Sequence, residues 1–309
     1  MLNAKILNRN ILYILAVSGG PDSMFLLDEM RSENYNLVVA HVNYQKRVAS
    51  DGDEKIVRNY CQKYSLPCEV YRVKGSEYRS INNFQDRARQ IRYNFFQNLA
   101  QKHQTKYIVV AHHWDDHCET YLLQKQRKSL VEYWGLPPKT KQGKNWIIRP
   151  LLSLNKQQIC QHLTKNKVDY AVDITNQLPI YQRNIIRQKL TDLNEAEKKS
   201  LEKEIAEKNQ ALKKTKKLVK TATQQLIISP SVLKLDREIE YSPEIYLRLL
   251  YLWINRATGG ILQQRKKQLL NEVYKQLFKS KKANLSIELG GNFRIVKHNN
   301  QAIVSLKIY

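Results

Sequence analysis

The stretch Ile11-Leu12-Tyr13-Ile14-Leu15-Ala16-Val17-Ser18-Gly19-Gly20-Pro21-Asp22-Ser23-Met24-Phe25-Leu26-Leu27-Asp28-Glu29-Met30 decides the fold. A run apolar at nearly every position reads as a strand covered on both faces. It stops at two glycines, a proline and an aspartate, and a helix-like apolar pattern follows. Glycines let backbone N–H groups approach a ligand closely, and the start of a helix adds unpaired N–H groups and the positive end of its dipole. Pro21 and Asp22 suit a first helical turn. Ser18–Ser23 is therefore either a capped turn or a phosphate cradle. Gly-x-x-x-x-Gly-Lys is absent, so it is not a Walker A loop. A carboxylate inside a phosphate loop is repulsive unless a cation intervenes, and Mg²⁺ bridging Asp22 to phosphates resolves this.

Outward from this stretch, strand-like runs recur at Leu37–Val42, Cys68–Val73, Tyr107–Ala111 and Trp146–Ile148. Helical spacing lies between them, as at Ile56–Tyr64 and Ile91–Leu99. Strands alternating with helices predict a doubly wound parallel α/β sheet over residues 1–192. From Leu193, Leu201, Ile205, Leu212, Val219 and Leu226 recur in a Lys/Glu-rich background, which predicts one long amphipathic linker helix over 193–228. Residues 229–309 read as a smaller basic α+β domain. It has a helical stripe (Leu262, Leu269, Leu270, Val273, Leu277) flanked by Arg265, Lys266 and Lys267, then short strands at 284–288, 292–297 and 301–307. Asn299-Asn300 signals a hairpin between the last two. Pro137–Asn145 reads as a polar, basic loop.

The 309 residues are 42% apolar and carry a net charge of +24. That is enough for a large core, and a charge of this size attracts polyanions, nucleic acid first among them. Cys61, Cys68, Cys118 and Cys160 form no Cys-x-x-Cys pair, which leaves no case for a zinc ribbon, an iron–sulfur cluster or a disulfide framework. There is no signal-peptide layout and no run long enough to span a membrane, so the expectation is a cytoplasmic protein without a membrane partner. Monomer and homodimer are both left open.

In an open parallel sheet, ligands bind beyond the carboxyl ends of the strands. The unusual residues fall there: Ser18-Gly19-Gly20 after the first strand, His41-Val42-Asn43 closing the second, His112-His113 after the fourth, Arg149-Pro150 after the fifth. Asp116 and Glu119, three apart, share a helix face and suit a cationic ligand. His113 and His117 have His-x-x-x-His spacing, which keeps a metal site open as a rival. Arg89 and Arg92 share a predicted face, Arg183 and Arg187 are four apart, and guanidinium groups suit phosphates.

Taken in order, Ser18–Ser23, His41-Val42-Asn43, Ala88-Arg89…Arg92-Tyr93, Ala111-His112-His113-x-Asp115-Asp116…Glu119-Thr120, Arg149-Pro150-Leu151-Leu152, Asp173-Ile174-Thr175-Asn176 and Arg183-Asn184…Arg187 resemble the PP-loop ATP pyrophosphatases. Within that superfamily they resemble the tRNA(Ile)-lysidine synthetases, over roughly residues 11–190. The resemblance implies ligation of free L-lysine to C2 of the wobble cytidine of a tRNA(Ile) with a CAU anticodon. ATP adenylates the cytidine first, and AMP and pyrophosphate are the products. It implies that Ser18, Gly19, Gly20, Pro21, Asp22, Ser23, His41 and Arg89 bind ATP, with Asp22 on Mg²⁺. It places Asp116 and Glu119 on the lysine, with Asp116, His112 and Asp22 catalytic. It sets Arg89, Arg183 and Arg187 near adenylate or tRNA phosphates. Lysine's amine arrives protonated, with a reference pKa of about 10.4; a carboxylate or His112 would have to take a proton as attack begins.

The chain departs from the family pattern at Tyr44-Gln45, where His-Gly is common, at His117 and Thr175, and at Gln126-Arg127-Lys128-Ser129-Leu130, where a glycine-rich stretch is expected. Two other classes stay open. One is a different PP-loop enzyme, although the thiolating members carry paired cysteines and the amidating ones need no basic tail. The other is a catalytically dead basic RNA-binding protein.

Overall fold

A computed structural model describes residues 2–45, 49–77, 84–171, 182–236, 238–262 and 266–306. Asp173-Ile174-Thr175-Asn176 and Arg265 lie outside the described residues. The chain divides into two compact units: Met1–Leu123 with Gly135–Leu201, and Gln124–Trp134 with Glu202–Tyr309.

The first unit carries strands β1 (Leu12–Ala16), β2 (Asn36–Asn43), β3 (Cys68–Arg72), β4 (Tyr107–Val109), β5 (Lys139–Gln142) and β6 (Asn145–Ile148). They form one sheet in the order β3-β2-β1-β4-β6-β5. All pairs are parallel except β5 with β6. Its helices are α1 (Pro21–Ser32), α2 (Ala49–Lys63), α3 (Phe84–Lys102), α4 (Trp114–Gln126), α5 (Lys156–Lys165) and α6 (Gln182–Thr191). The continuous apolar run of β1 is explained by burial on both faces. Tyr13 and Leu15 point into a core with Met24 and Leu27 of α1, and Ile14 points into a second core with Tyr93, Phe96 and Leu99 of α3. Side chains alternate across a strand, so one sequence run serves two layers.

The expected loop Pro137–Asn145 is instead a hairpin, with β5 turning into β6 through Gly143 at φ 58°. Its polar residues give no apolar signal because β5 is an edge strand that pairs through its backbone. The Lys139 ammonium sits over Trp146, its Nζ 4.5 Å from the ring centroid.

In the second unit, α7 (Glu195–Leu226) buries Ile205, Leu212, Val219, Ala222 and Leu226, a narrow stripe at near-heptad spacing. Strands β7 (Ile227–Ser229), β8 (Val232–Lys234), β9 (Asn284–Gly290), β10 (Phe293–His298) and β11 (Gln301–Leu306) form an antiparallel sheet ordered β7-β8-β11-β10-β9. The hairpin of β7 and β8 around Pro230 is an addition to the expected strands. Helix α8 (Pro243–Thr258) and helix α9 (Lys266–Tyr274) pack on this sheet around Trp253, Leu250, Leu270 and Ile295, all fully buried. The atypical segment belongs to this unit. Leu130 packs on its core, the Val131 carbonyl accepts from Arg248 Nη1 at 2.9 Å, and the Lys128 carbonyl accepts from Lys267 Nζ at 2.9 Å. Among the described residues, no helix is long and apolar enough to cross a membrane.

Candidate active site

Two cavities open at the carboxyl ends of the strands in the first unit. They share Ser18, Asp22 and Asp116. The first, about 250 Å³, runs between the ends of β1, β2 and β4 and the helix α3; Val17, Tyr44, Arg89, Arg92, Tyr93 and His112 are among its walls. The second, about 490 Å³, lies beyond the loop and is lined by Gly20, Asp53, His113, Asp115, Lys156 and Arg187 among others.

The loop is built as its residues require. Gly19 has φ 89°, a left-handed conformation that favours glycine, and a Cβ there would sit 3.0 Å from the Asp53 carbonyl oxygen. Gly20 is the N-cap of α1, Pro21 is its first residue, and no side chain caps the helix start. Ser23 Oγ donates to the Gly20 carbonyl at 2.9 Å and accepts from the Ser18 amide at 3.1 Å, which fixes the bend. The result is an uncapped helix start facing the junction of the two cavities, the geometry that holds an anion.

Helix α4 brings the acids. Asp116 Oδ2 accepts from the His113 amide at 3.1 Å, which seats it in the first turn. Glu119 is almost fully buried, one turn further on the same face. Arg187 joins them, donating from Nε to Glu119 at 2.6 Å and from Nη2 to Asp116 at 3.1 Å. Arg183 Nε lies 3.1 Å from Glu119. The arginines expected on phosphates thus rest on the acid pair expected to hold an amine. Burial alone lowers the affinity of Arg187 for its proton, but Glu119 and Asp116 outweigh it and raise its pKa.

The adjacent histidines differ sharply. His113 is buried, which favours the neutral form. Its Nδ1 lies 2.9 Å from Asp115, its Nε2 3.6 Å from Asp116 and 3.7 Å from Asp22, and these carboxylates together raise its pKa. His112 lines the first cavity and is pushed down to about 4 by burial, against the pull of Asp116. Its Nδ1 is buried without a hydrogen-bond partner among the described residues. At neutral pH it is an uncharged hydrogen-bonding group and a weak base, because burial has removed its proton affinity. The His113/His117 metal pairing does not assemble: His117 Nδ1 accepts from the Leu136 amide at 2.9 Å, with its ring against Gly135. Among the described residues, no group of three or more His, Cys, Asp or Glu is placed to hold a metal.

His41 lines neither cavity. Its Nδ1 faces the Val17 carbonyl at 2.9 Å, so it donates there and braces the strand that enters the loop. Arg149 donates to the Pro137 carbonyl and to Thr140, both at 2.9 Å, at the base of the β5–β6 hairpin. Arg89 lines the first cavity as expected, its guanidinium 4.9 Å from the Tyr93 ring centroid. Lys156 was not anticipated. Its Nζ donates to Asp22 Oδ1 at 2.6 Å, and its backbone N–H donates to Asp115 Oδ2 at 3.0 Å. A lone lysine at a helix start gives no sequence signal; only its place after the fifth predicted strand, at the mouth of the sheet, points to it.

The sequence matches the PP-loop domain family over residues 3–194. It is 36% identical over 310 residues to the tRNA(Ile)-lysidine synthase of Mycoplasma mycoides subsp. mycoides SC, spanning 96% of this chain and 74% of that one. The chain belongs to the tRNA(Ile)-lysidine synthase family, an enzyme family of the PP-loop group. The family's enzyme from Mesoplasma florum is 31% identical, with 97% and 75% of the two chains covered. That from Mycoplasma genitalium is 32% identical, with 85% and 93% covered. Among solved structures, the U34-tRNA thiolase NcsA from Methanococcus maripaludis superposes with a TM-score of 0.55 at 17% identity over 69% of this chain and 76% of that one. That likeness concerns the fold.

Proposed function

We propose that this chain uses ATP to join L-lysine to C2 of the wobble cytidine of a tRNA(Ile) with a CAU anticodon, through an adenylated cytidine, releasing AMP and pyrophosphate. The observation that carries this reading is the shared boundary of the two cavities, where Ser18, Asp22 and Asp116 place an anion-binding loop beside an acid pair.

The first cavity, walled by Val17, Tyr44 and Tyr93, suits a nucleoside, with Arg89 and Arg92 at its rim. The amides at the start of α1, with Ser18 and Ser23, receive the phosphates. Asp22 stands in the loop with an oxygen donor already engaged by a cation. A single carboxylate suits Mg²⁺, which takes most of its ligands from phosphate and water. When bound, the metal would offset charge on the transferring phosphoryl group. Asp116 and Glu119 receive the ammonium of lysine in place of the guanidinium of Arg187. A carboxylate of this pair, rather than His112, takes the proton as the amine attacks. His112 donates or accepts a hydrogen bond at the reacting cytidine or adenylate. The basic second unit supplies attraction for tRNA, which falls with salt as counterions return to the phosphates.

The test is incubation of unmodified tRNA with the full chain, ATP, Mg²⁺ and labelled lysine, followed by nucleoside mass spectrometry. Lysidine in tRNA(Ile) is the expected product. Pyrophosphate release without lysine incorporation would point to another PP-loop modification, and tRNA binding without pyrophosphate release to a dead binder.

A further inference from the structure

Asp22 sits in the anion-binding loop, yet the cation that holds it comes from the chain itself. Lys156 reaches it at 2.6 Å from a position 134 residues away in sequence. The start of α5 is pinned, since the Lys156 backbone N–H donates to Asp115, so the base of the lysine stem is held beside the loop while the ammonium can turn on that stem. Asp115 is itself held by His113. The Lys156 side chain is 43% exposed. An ion pair that wet is worth little, so it exchanges partners at small cost. Lys156 lines the second cavity with Gly20 and Pro21, whereas His112 and Arg89 line the first.

We infer that Lys156 is a pyrophosphate-binding residue: it neutralises Asp22 and swings onto the β- and γ-phosphates when the nucleotide arrives. This rests on the reading that the first cavity holds the nucleoside of ATP. A nucleoside there and phosphates at the helix start direct the chain of phosphates into the second cavity, where the Lys156 ammonium is hydrogen-bonded to Asp22 of the loop. Lysine's three rotatable donors on a flexible stem suit this exchange between a carboxylate and phosphate oxygens. As the cytidine oxygen attacks the α-phosphorus and the α–β bridging bond breaks, the electron pair leaves with the pyrophosphate. A cation on the β- and γ-oxygens stabilises that departing charge.

The experiment compares binding of α,β-methylene-ATP, inorganic pyrophosphate and AMP to the full chain and to Lys156→Ala, Lys156→Gln and Lys156→Arg, by calorimetry with Mg²⁺ present. The expected result is a loss of about ten- to a hundredfold for the ATP analogue and for pyrophosphate in the alanine and glutamine variants, the worth of a hydrogen bond to a charged group. AMP affinity should be unchanged, and arginine should restore most of the pyrophosphate binding. Unchanged pyrophosphate affinity in Lys156→Ala would leave Lys156 a partner of Asp22 alone and overturn the assignment. Equal losses for AMP and pyrophosphate would overturn it too, since they would signal a general disturbance of the loop. If the unaltered chain bound none of the three, the ATP reading itself would fall, an outcome distinct from either of these.

Discussion

Among the described residues, His112 Nδ1 and Arg92 Nε in the first cavity are buried without hydrogen-bond partners, whereas in and around the second the charged groups are already matched. Asp22 holds Lys156, Asp115 holds His113, Asp116 holds Arg187, and Glu119 holds Arg187 and Arg183. The difference teaches what each side waits for. Buried polar atoms left unpaired call for a ligand with its own donors and acceptors: an acceptor for the Arg92 N–H, and a base edge or sugar hydroxyl for His112. A balanced cluster of acids and bases calls for charged ligands that replace one internal partner with another. A phosphate takes Lys156 from Asp22, and an ammonium takes the acids from Arg187. The site thus carries internal stand-ins for the charges of its proposed ligands.

The contrast breaks most readily at Asp116, which borders both cavities. Asp116→Asn keeps the shape and an acceptor for the His113 amide but removes the charge. Lysine transfer should fall by about two to four orders of magnitude, the range of a lost acid–base group. Binding of an ATP analogue should change little. Transfer at the unaltered rate in a single-turnover assay would remove Asp116 from the amine site.

Gly19→Ala tests the loop the cavities share. At φ 89°, with the Asp53 carbonyl 3.0 Å from the added Cβ, the backbone must shift. Strain of about 1–3 kcal/mol is expected. It should show as a lowered melting temperature together with weakened binding of the ATP analogue and of AMP alike. Weakening confined to one ligand would mean that the loop serves one cavity only.

The two histidines sharpen the comparison through pH. His112 has its folded pKa near 4, below the unfolded value of about 6.5. The unfolded chain therefore binds more protons between these values. Stability present above about pH 6.5 is lost as pH falls toward 4, by on the order of 3 kcal/mol. His113 works with the opposite sign: its raised pKa contributes stability below its unfolded value, lost as pH rises through the folded one. Denaturant unfolding across pH 4–7 should show a shallower acid limb in His112→Gln than in the unaltered chain. An unchanged limb would place His112 in water rather than in the closed wall of the first cavity.

Much of the first cavity was legible in the sequence because its parts are contiguous or periodic. β1 is apolar throughout because both faces are covered, and Ser18–Ser23 follows it directly. Asp116 and Glu119 share a face by helical spacing. The second cavity was less legible because its pairings are long-range. Lys156 meets Asp22, and Arg187 meets Asp116 and Glu119, only after the sheet has assembled, and no local pattern marks either meeting. The polar strand β5 was missed because an edge strand pairs by backbone alone. The segment at residues 124–134 was anomalous as part of the first unit because it folds with the second. His41 has a loop-facing position in sequence, and its ring is buried against the Val17 carbonyl, just before the loop.

The smallest expected effect separates the two arginines on Glu119. Arg183 is 68% exposed and makes one contact with that acid, whereas Arg187, 49% exposed, spans Glu119 and Asp116. Removing Arg183 leaves Glu119 paired, so Arg183→Ala should change stability by no more than about 1 kcal/mol, as for an exposed ion pair. Arg187→Ala leaves a buried carboxylate with its weaker partner and should destabilise more, and it should also shift the KM for lysine, because the guanidinium and the ammonium compete for one acid pair. Thermal melts and lysine titrations of both variants make the comparison. If Arg183→Ala melts like the unaltered chain yet loses tRNA affinity, the exposed arginine belongs to an RNA phosphate and its contact with Glu119 is a resting position. If Arg183→Ala proves the more destabilising of the two, the acid pair is held mainly from outside, and the idea that Arg187 stands in for the substrate's cation fails.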